Sequence, residues 1–118
     1  MYRYFSDKEF NACTPSCSIV EMDGDFMEML DKLRDIAGIP IVINCAYRSR
    51  EWDLKKGRSG NSAHTKGKAV DIRCIDSNNR YKILKAAIQL GFRRIGIADT
   101  FIHLDMDESL PQGVIWLY

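Results

Sequence analysis

From Asp23 onward, apolar residues recur at helical spacing. Phe26, Met29, Leu30, Leu33, Ile36 and Ala37 fall on one stripe, and Gly38 and Pro40 end it. Such a stripe packs into a core, and its methionines need no other role. The period then changes. Residues 41–46 form an apolar run that reads as a buried strand. Residues 69–74 alternate, with Val70, Ile72 and Cys74 facing one way and Asp71 and Arg73 the other. Asp76 or Ser77 caps a second long helix, carried by Tyr81, Leu84, Ala87 and Ile88 and ended at Gly91. Strands are predicted over 94–98 and 101–105, joined by a turn at Asp99-Thr100, and a last strand over 114–118. Ser6-Asp7-Lys8-Glu9 fits a capping box that starts a short helix. Residues 50–61 are polar and glycine-bearing, with a short helix around 51–55, and suit the rim of a site. Helices and strands mix without strict βαβ alternation, which predicts the α+β class.

The totals narrow the field. A chain of 118 residues, with no repeat, linker or low-complexity run, is one domain over 1–118 and is large enough for a core without staples. Lys+Arg 17 against Asp+Glu 16 leaves the charge near neutral and argues against a broad nucleic-acid-binding surface. No apolar run is long enough to span a bilayer, and the first residues lack an apolar signal core. The expectation is a monomer that is cytoplasmic as synthesised; if its target lies outside, something else must deliver it. Cys13, Cys17, Cys45 and Cys74 match no zinc-finger spacing. Cys45 and Cys74 lie in apolar runs and read as small hydrophobes. Cys13 and Cys17 flank a loop; they can pair, cap a site mouth or stay reduced, and a cytoplasmic setting favours the reduced state.

The chemistry gathers around residues 62–71, Ser-Ala-His-Thr-Lys-Gly-Lys-Ala-Val-Asp. A catalytic zinc takes three nitrogen, sulfur or oxygen ligands and keeps one open position. His64 precedes a strand, Asp71 lies on it, and Gly67 allows a tight reversal between them. His103, the chain's only other histidine, lies in Phe101-Ile102-His103-Leu104-Asp105 and completes a candidate zinc set. Strand alternation puts Asp105 on the face of His103.

With Tyr47-Arg48-Ser49 before it and the His103 strand after it, this stretch resembles the zinc D-alanyl-D-alanine carboxypeptidase family. That family includes the vancomycin-resistance D,D-dipeptidases and phage L-alanyl-D-glutamate endopeptidases. Its signature is Ser-x-His-x-x-Gly-x-Ala-x-Asp with a later His on a strand, and every position is present over residues 39–105. Trp116 stands where a small branch of the family also carries a tryptophan. The resemblance implies a small antiparallel sheet with helices on one side, a fold shared with the hedgehog signalling domain. It implies hydrolysis of peptide bonds in bacterial peptidoglycan, with His64, Asp71 and His103 as zinc ligands. Arg48 would bind the substrate carbonyl or the anionic transition state. Ser62 would hydrogen-bond substrate or shape the turn.

The chain departs from the family at the general base. The Glu of the dipeptidase branch is replaced by Thr100, and the first His of the carboxypeptidase His-x-His by Phe101. Asp105 and Asp99 remain as candidates, and alternation favours Asp105. Three rival readings follow: a non-catalytic, zinc-containing peptidoglycan-binding or interaction module, a thiol function through Cys13 and Cys17, and nucleic-acid binding through Lys55, Lys56 and Arg58.

Overall fold

The computed structural model describes residues 2–118. Its local signals form where the sequence places them. Ser6 and Glu9 bond reciprocally to open α1 (Asp7–Asn11). Asp23 caps α2 (Gly24–Ala37) by accepting from the Phe26 N–H at 2.9 Å, and Gly38 ends it in the left-handed conformation. Strand β1 (Ile43–Cys45) is shorter than the apolar run that predicts it. Helix α3 (Arg50–Lys55) is capped by Ser49. A 3₁₀ turn, Ala63–Lys66, leads into β2 (Ala69–Arg73). Asp76 caps α4 (Ser77–Leu90), which is followed by β3 (Arg94–Ile97), β4 (Phe101–Asp105) and β5 (Val114–Leu117). No helix among the described residues is long and apolar enough to cross a membrane.

The five strands form one sheet in the order β1-β2-β4-β3-β5. The α+β expectation holds, with one refinement. The sheet is antiparallel except at its last pair, where β5 runs parallel to β3. The chain leaves β4 at Asp105, opposite Arg94. Residues 106–113 carry it past β3 at that same end, so β5 begins with Val114 beside Arg94 and follows β3 in the same direction.

One face of the sheet is apolar. Val70, Ile72, Ile95, Ile102 and Leu104 are buried with Phe26, Met27, Leu30 and Leu33 of α2 and Ile83, Ala86 and Ala87 of α4. The two long helices therefore cover this face, and burying each large aliphatic side chain contributes about 1.5–3 kcal/mol. The period of two that sends these residues inward sends their neighbours to the opposite face, where the chemistry lies.

Candidate metal centre and cleft

The strand register assembles the site. Cys45 on β1 pairs with Asp71 on β2, Asp71 with His103 on β4, His103 with Gly96 on β3, and Gly96 with Trp116 on β5. One row thus crosses all five strands on the face away from the helices. His64 joins it from the 3₁₀ turn. Gly96 matters because the Trp116 indole and the Tyr118 ring lie directly against it; a Cβ there would come within 2.8 Å of both rings. The resulting cleft, of about 310 Å³, is lined by Arg48, Arg58, Ser62 and His64 on one side and by Phe101, Trp116 and Tyr118 on the other.

Asp71, His64 and His103 converge. Asp71 Oδ1 lies 3.4 Å from His64 Nε2 and 3.0 Å from His103 Nδ1. His64 Nδ1 faces the Ala46 carbonyl at 2.6 Å, which assigns its proton there. A neutral His64 therefore points the Nε2 lone pair at a carboxylate oxygen. His103 has a carboxylate at each nitrogen, since Nε2 also lies 2.6 Å from Asp105 Oδ2. A neutral ring has only one N–H to serve both. The cluster has more acceptors than protons, and a divalent cation among His64 Nε2, Asp71 and His103 Nδ1 would relieve that excess. The spacing suits it, because ligand atoms on a tetrahedral zinc stand about 3.3 Å apart. On donor chemistry and spacing, the three residues fit the ion.

Without the ion, protons take over part of that task. Burial pushes the Asp71 carboxyl up, but the hydrogen bond with His103 and the neighbouring His64 ring outweigh it and hold the group well below the usual carboxylate range. Burial pushes His103 down, yet its bonds to Asp105 and Asp71 prevail, and the net shift is upward. The signs set a window for the metal-free protein. Stability from Asp71 is present above the ordinary Asp range and is lost only as pH falls through its lowered value. Stability from His103 is fully present below the ordinary His value and is lost as pH rises through its raised one. The melting temperature of metal-free protein should therefore peak between about pH 4 and 6.5 and decline above that. Added zinc should stabilise more strongly as pH rises, because binding releases the histidine proton. Thermal melts across pH with and without zinc check both trends.

Cys45 departs from its sequence reading. It is buried, but it lies outside the apolar core and faces the site, with Sγ 3.8 Å from His64 Nδ1 and 3.8 Å from Arg48 Nη1. Cys45, His64 and Asp71 offer ligand atoms that all lie within 4.8 Å of one another, a second trio of metal-binding type. Burial pushes the Cys45 thiol up to about 11, with Asp71 adding to the rise and Arg48 opposing it. The sulfur lies beside the ring nitrogen already engaged by Ala46 and does not line the cleft. The same facts argue against a Cys-His-Asp nucleophile, which needs an accessible thiolate and a free Nδ1.

The remaining sequence candidates separate. Asp105 lies on the His103 face as alternation requires, but both its oxygens are engaged. Oδ2 meets His103 Nε2, while Oδ1 accepts from Arg94 Nε at 2.7 Å and from the Asp107 N–H at 3.1 Å. It therefore sits behind the ring, on the nitrogen away from Asp71, where it orients the imidazole. Asp99 is exposed in the β3–β4 turn, outside the cleft lining, and its backbone carbonyl accepts from Arg80. Arg48 lines the cleft, with Nε facing Asp53 Oδ1 at 2.9 Å as a charge pair and Nη2 donating to Ser62 Oγ at 3.2 Å. Lys66 ties the His64 turn to the segment after β4 by donating to Asp107 at 2.7 Å and Ser109 at 2.9 Å.

Cys13 and Cys17 do not cap the site mouth. Both are free and buried in the apolar core, where burial, with Cys17 and Cys45 adding, pushes the Cys13 thiol up to about 12. Replacing both with alanine should cost about 1–2 kcal/mol of stability. Zinc content should stay at the wild-type level, as metal analysis beside a thermal melt would show. Lys55 and Lys56 are exposed, while Arg58 reaches the cleft rim. Sequence reasoning passes over Asp53, Arg94, Arg58 and Tyr118 as parts of the site. For Arg94 a signal was present: carrying the alternation of β4 back across the turn puts Arg94 and Gly96 opposite Ile95 and Ile97.

The fold and site define a class first: an α+β domain whose sheet presents a His/Asp cluster of metal-binding type in an open cleft. The chain belongs to the peptidase M15 family, whose model matches residues 3–105. The match bears out the resemblance read from the motifs and extends it towards the N-terminus. It includes every residue of the His64–Asp71–His103 cluster and ends before β5. Membership makes the chain a metallopeptidase by family and its substrate a peptide. No curated protein matches the chain.

Proposed function

We propose that the protein is a zinc-dependent peptidase acting on bacterial cell-wall peptidoglycan, of D,D-carboxypeptidase or L,D-endopeptidase type. The observation that carries this reading is the convergence of His64 and His103 on Asp71 Oδ1 inside an open cleft of about 310 Å³. His64, Asp71 and His103 would hold the zinc, which when bound supplies a Lewis acid and lowers the pKa of a coordinated water. The chain's own residues do the rest. The Ala46 carbonyl and Asp105 fix the two imidazole rings from behind, so that each presents its other nitrogen to Asp71. Arg48 presents a guanidinium to the cleft for the substrate carbonyl and the charge that develops on it. Trp116 and Tyr118 form the opposite wall, with Trp116 packed 5.4 Å from His103 and 4.9 Å from the Arg94 guanidinium, centre to centre.

One observation favours a second reading, a non-catalytic zinc-containing module that binds peptidoglycan. Asp71 and Asp105 are the carboxylates that line the cleft, and both are engaged. Incubating purified muropeptides with the protein, with and without a chelator, separates the two. New peptide products that disappear with chelator support the peptidase. A chelator that lowers only the melting temperature, with no turnover before or after, supports the module. Asp105→Ala refines the assignment. A residue that orients His103 should weaken zinc affinity by about 10–100-fold on removal. A general base would leave the metal in place and lower kcat alone.

A further inference from the structure

We infer that Asp53 is a positioning residue that sets Arg48 and Ser62 in the cleft, an inference that rests on the peptidase reading above. Asp53 is fully buried, although it lies on the six-residue helix α3, whose other residues are exposed or, for Trp52, half-buried. A buried carboxylate needs partners, and this one takes both from the cleft wall. Oδ1 faces Arg48 Nε at 2.9 Å as an ion pair without hydrogen-bond geometry, and Oδ2 accepts the Ser62 hydroxyl proton at 3.0 Å. Arg48 Nη2 then donates to Ser62 Oγ at 3.2 Å, closing a three-membered ring of contacts.

This ring joins the Arg48 motif after β1 to the Ser62 motif before β2. Its hydrogen-bond inventory has a functional consequence. A guanidinium has five N–H donors. Nε is buried against Asp53 and held there by charge, one Nη2–H goes to Ser62, and one Nη1–H approaches Cys45 Sγ at 3.8 Å. Two N–H groups, one on each terminal nitrogen, are left on a side chain that lines the cleft. Asp53 thus grips the guanidinium by its inner edge and leaves its outer donors for substrate. Ser62 has given its only proton to Asp53, so it can accept from a substrate but not donate to one. Its part is to hold Arg48.

The test is Asp53→Asn, which keeps the shape and removes the charge, made in wild-type and Arg48→Lys backgrounds. The expected result is wild-type zinc content and a kcat/KM roughly ten- to a hundred-fold lower, carried by kcat. The loss should be absent or much smaller in the Arg48→Lys background, because the group being positioned is already altered. A kcat/KM within two-fold of wild type, or the same loss in both backgrounds, overturns the inference. A structural ion pair alone would lower the melting temperature equally in both. If the variant does not fold, the Arg48 Nε–H resonance of the wild-type protein decides. Slow exchange with solvent supports the clamp, and rapid exchange overturns it. That resonance also separates the two claims. A wild-type protein with a protected Arg48 that cleaves no muropeptide defeats the peptidase reading and leaves the placement of Arg48 by Asp53 standing.

Discussion

Replacing Asp71 with alanine is expected to strip the protein of its metal and bring peptide hydrolysis below detection. Asp71 Oδ1 is the atom on which His64 and His103 both converge, at 3.4 and 3.0 Å. On the proposed assignment, its removal takes away one ligand and the negative charge that would draw a cation to the cluster. Loss of a group behind a ligand typically lowers metal affinity 10–100-fold, so loss of the central carboxylate should exceed ~100-fold. The fold should survive, because Asp71 lies on the face away from the helices and His103 keeps Asp105. Asp71→Asn should behave alike, which would show that charge rather than volume is required. Metal analysis after dialysis, together with the muropeptide assay, checks the prediction. Stoichiometric zinc in either variant would count against the assignment.

The second large effect is on the fold. Gly67→Ala should destabilise the protein by about 3 kcal/mol or more. Gly67 has φ +70°, a conformation that side-chain-bearing residues rarely adopt, and a Cβ there would lie 2.4 Å from the Glu21 carbonyl oxygen and 3.0 Å from the Asp23 nitrogen. These obstacles are backbone atoms and cannot swing aside. The Gly67 carbonyl also accepts from the Asp23 N–H at 2.9 Å, and Asp23 caps α2. The turn carrying His64 is thereby fastened to the start of the main core helix. A drop in melting temperature of about 10 °C or more is expected from a calorimetric scan of the metal-free protein. A variant that melts with the wild type would show that the 21–23 segment yields freely.

Much of this arrangement can be read in the sequence where local rules act alone. The stripe from Phe26 to Ala37, with Asp23 and Gly38 at its ends, needs only helical spacing and caps, and α2 forms there. The alternation in β2 and β4 places Asp71, His103 and Asp105 on one face, and they meet there. The failures trace to features that no local pattern encodes. By alternation, Ile43 and Cys45 share a face, but the β1–β2 register shifts between them. Ile43 therefore enters the core while Cys45 turns to the site, since a one-residue slip reverses every side chain beyond it. Asp53 looks like a solvated acid because a helix of six residues has too little pattern to reveal its buried face. The parallel course of β5 depends on how residues 106–113 pass the end of β3, which is a matter of tertiary packing. Alternation puts Asp105 on the His103 face but says nothing about which nitrogen of His103 it meets.

The central claim is that His64, Asp71 and His103, and not the trio containing Cys45, form the metal site. X-ray absorption at the zinc edge of the zinc-loaded protein tests it most directly. The account predicts a shell of nitrogen and oxygen atoms at about 2.0–2.1 Å with the multiple-scattering pattern of two imidazoles and no sulfur. A sulfur at about 2.3 Å with a single imidazole would place Cys45 on the metal and contradict it.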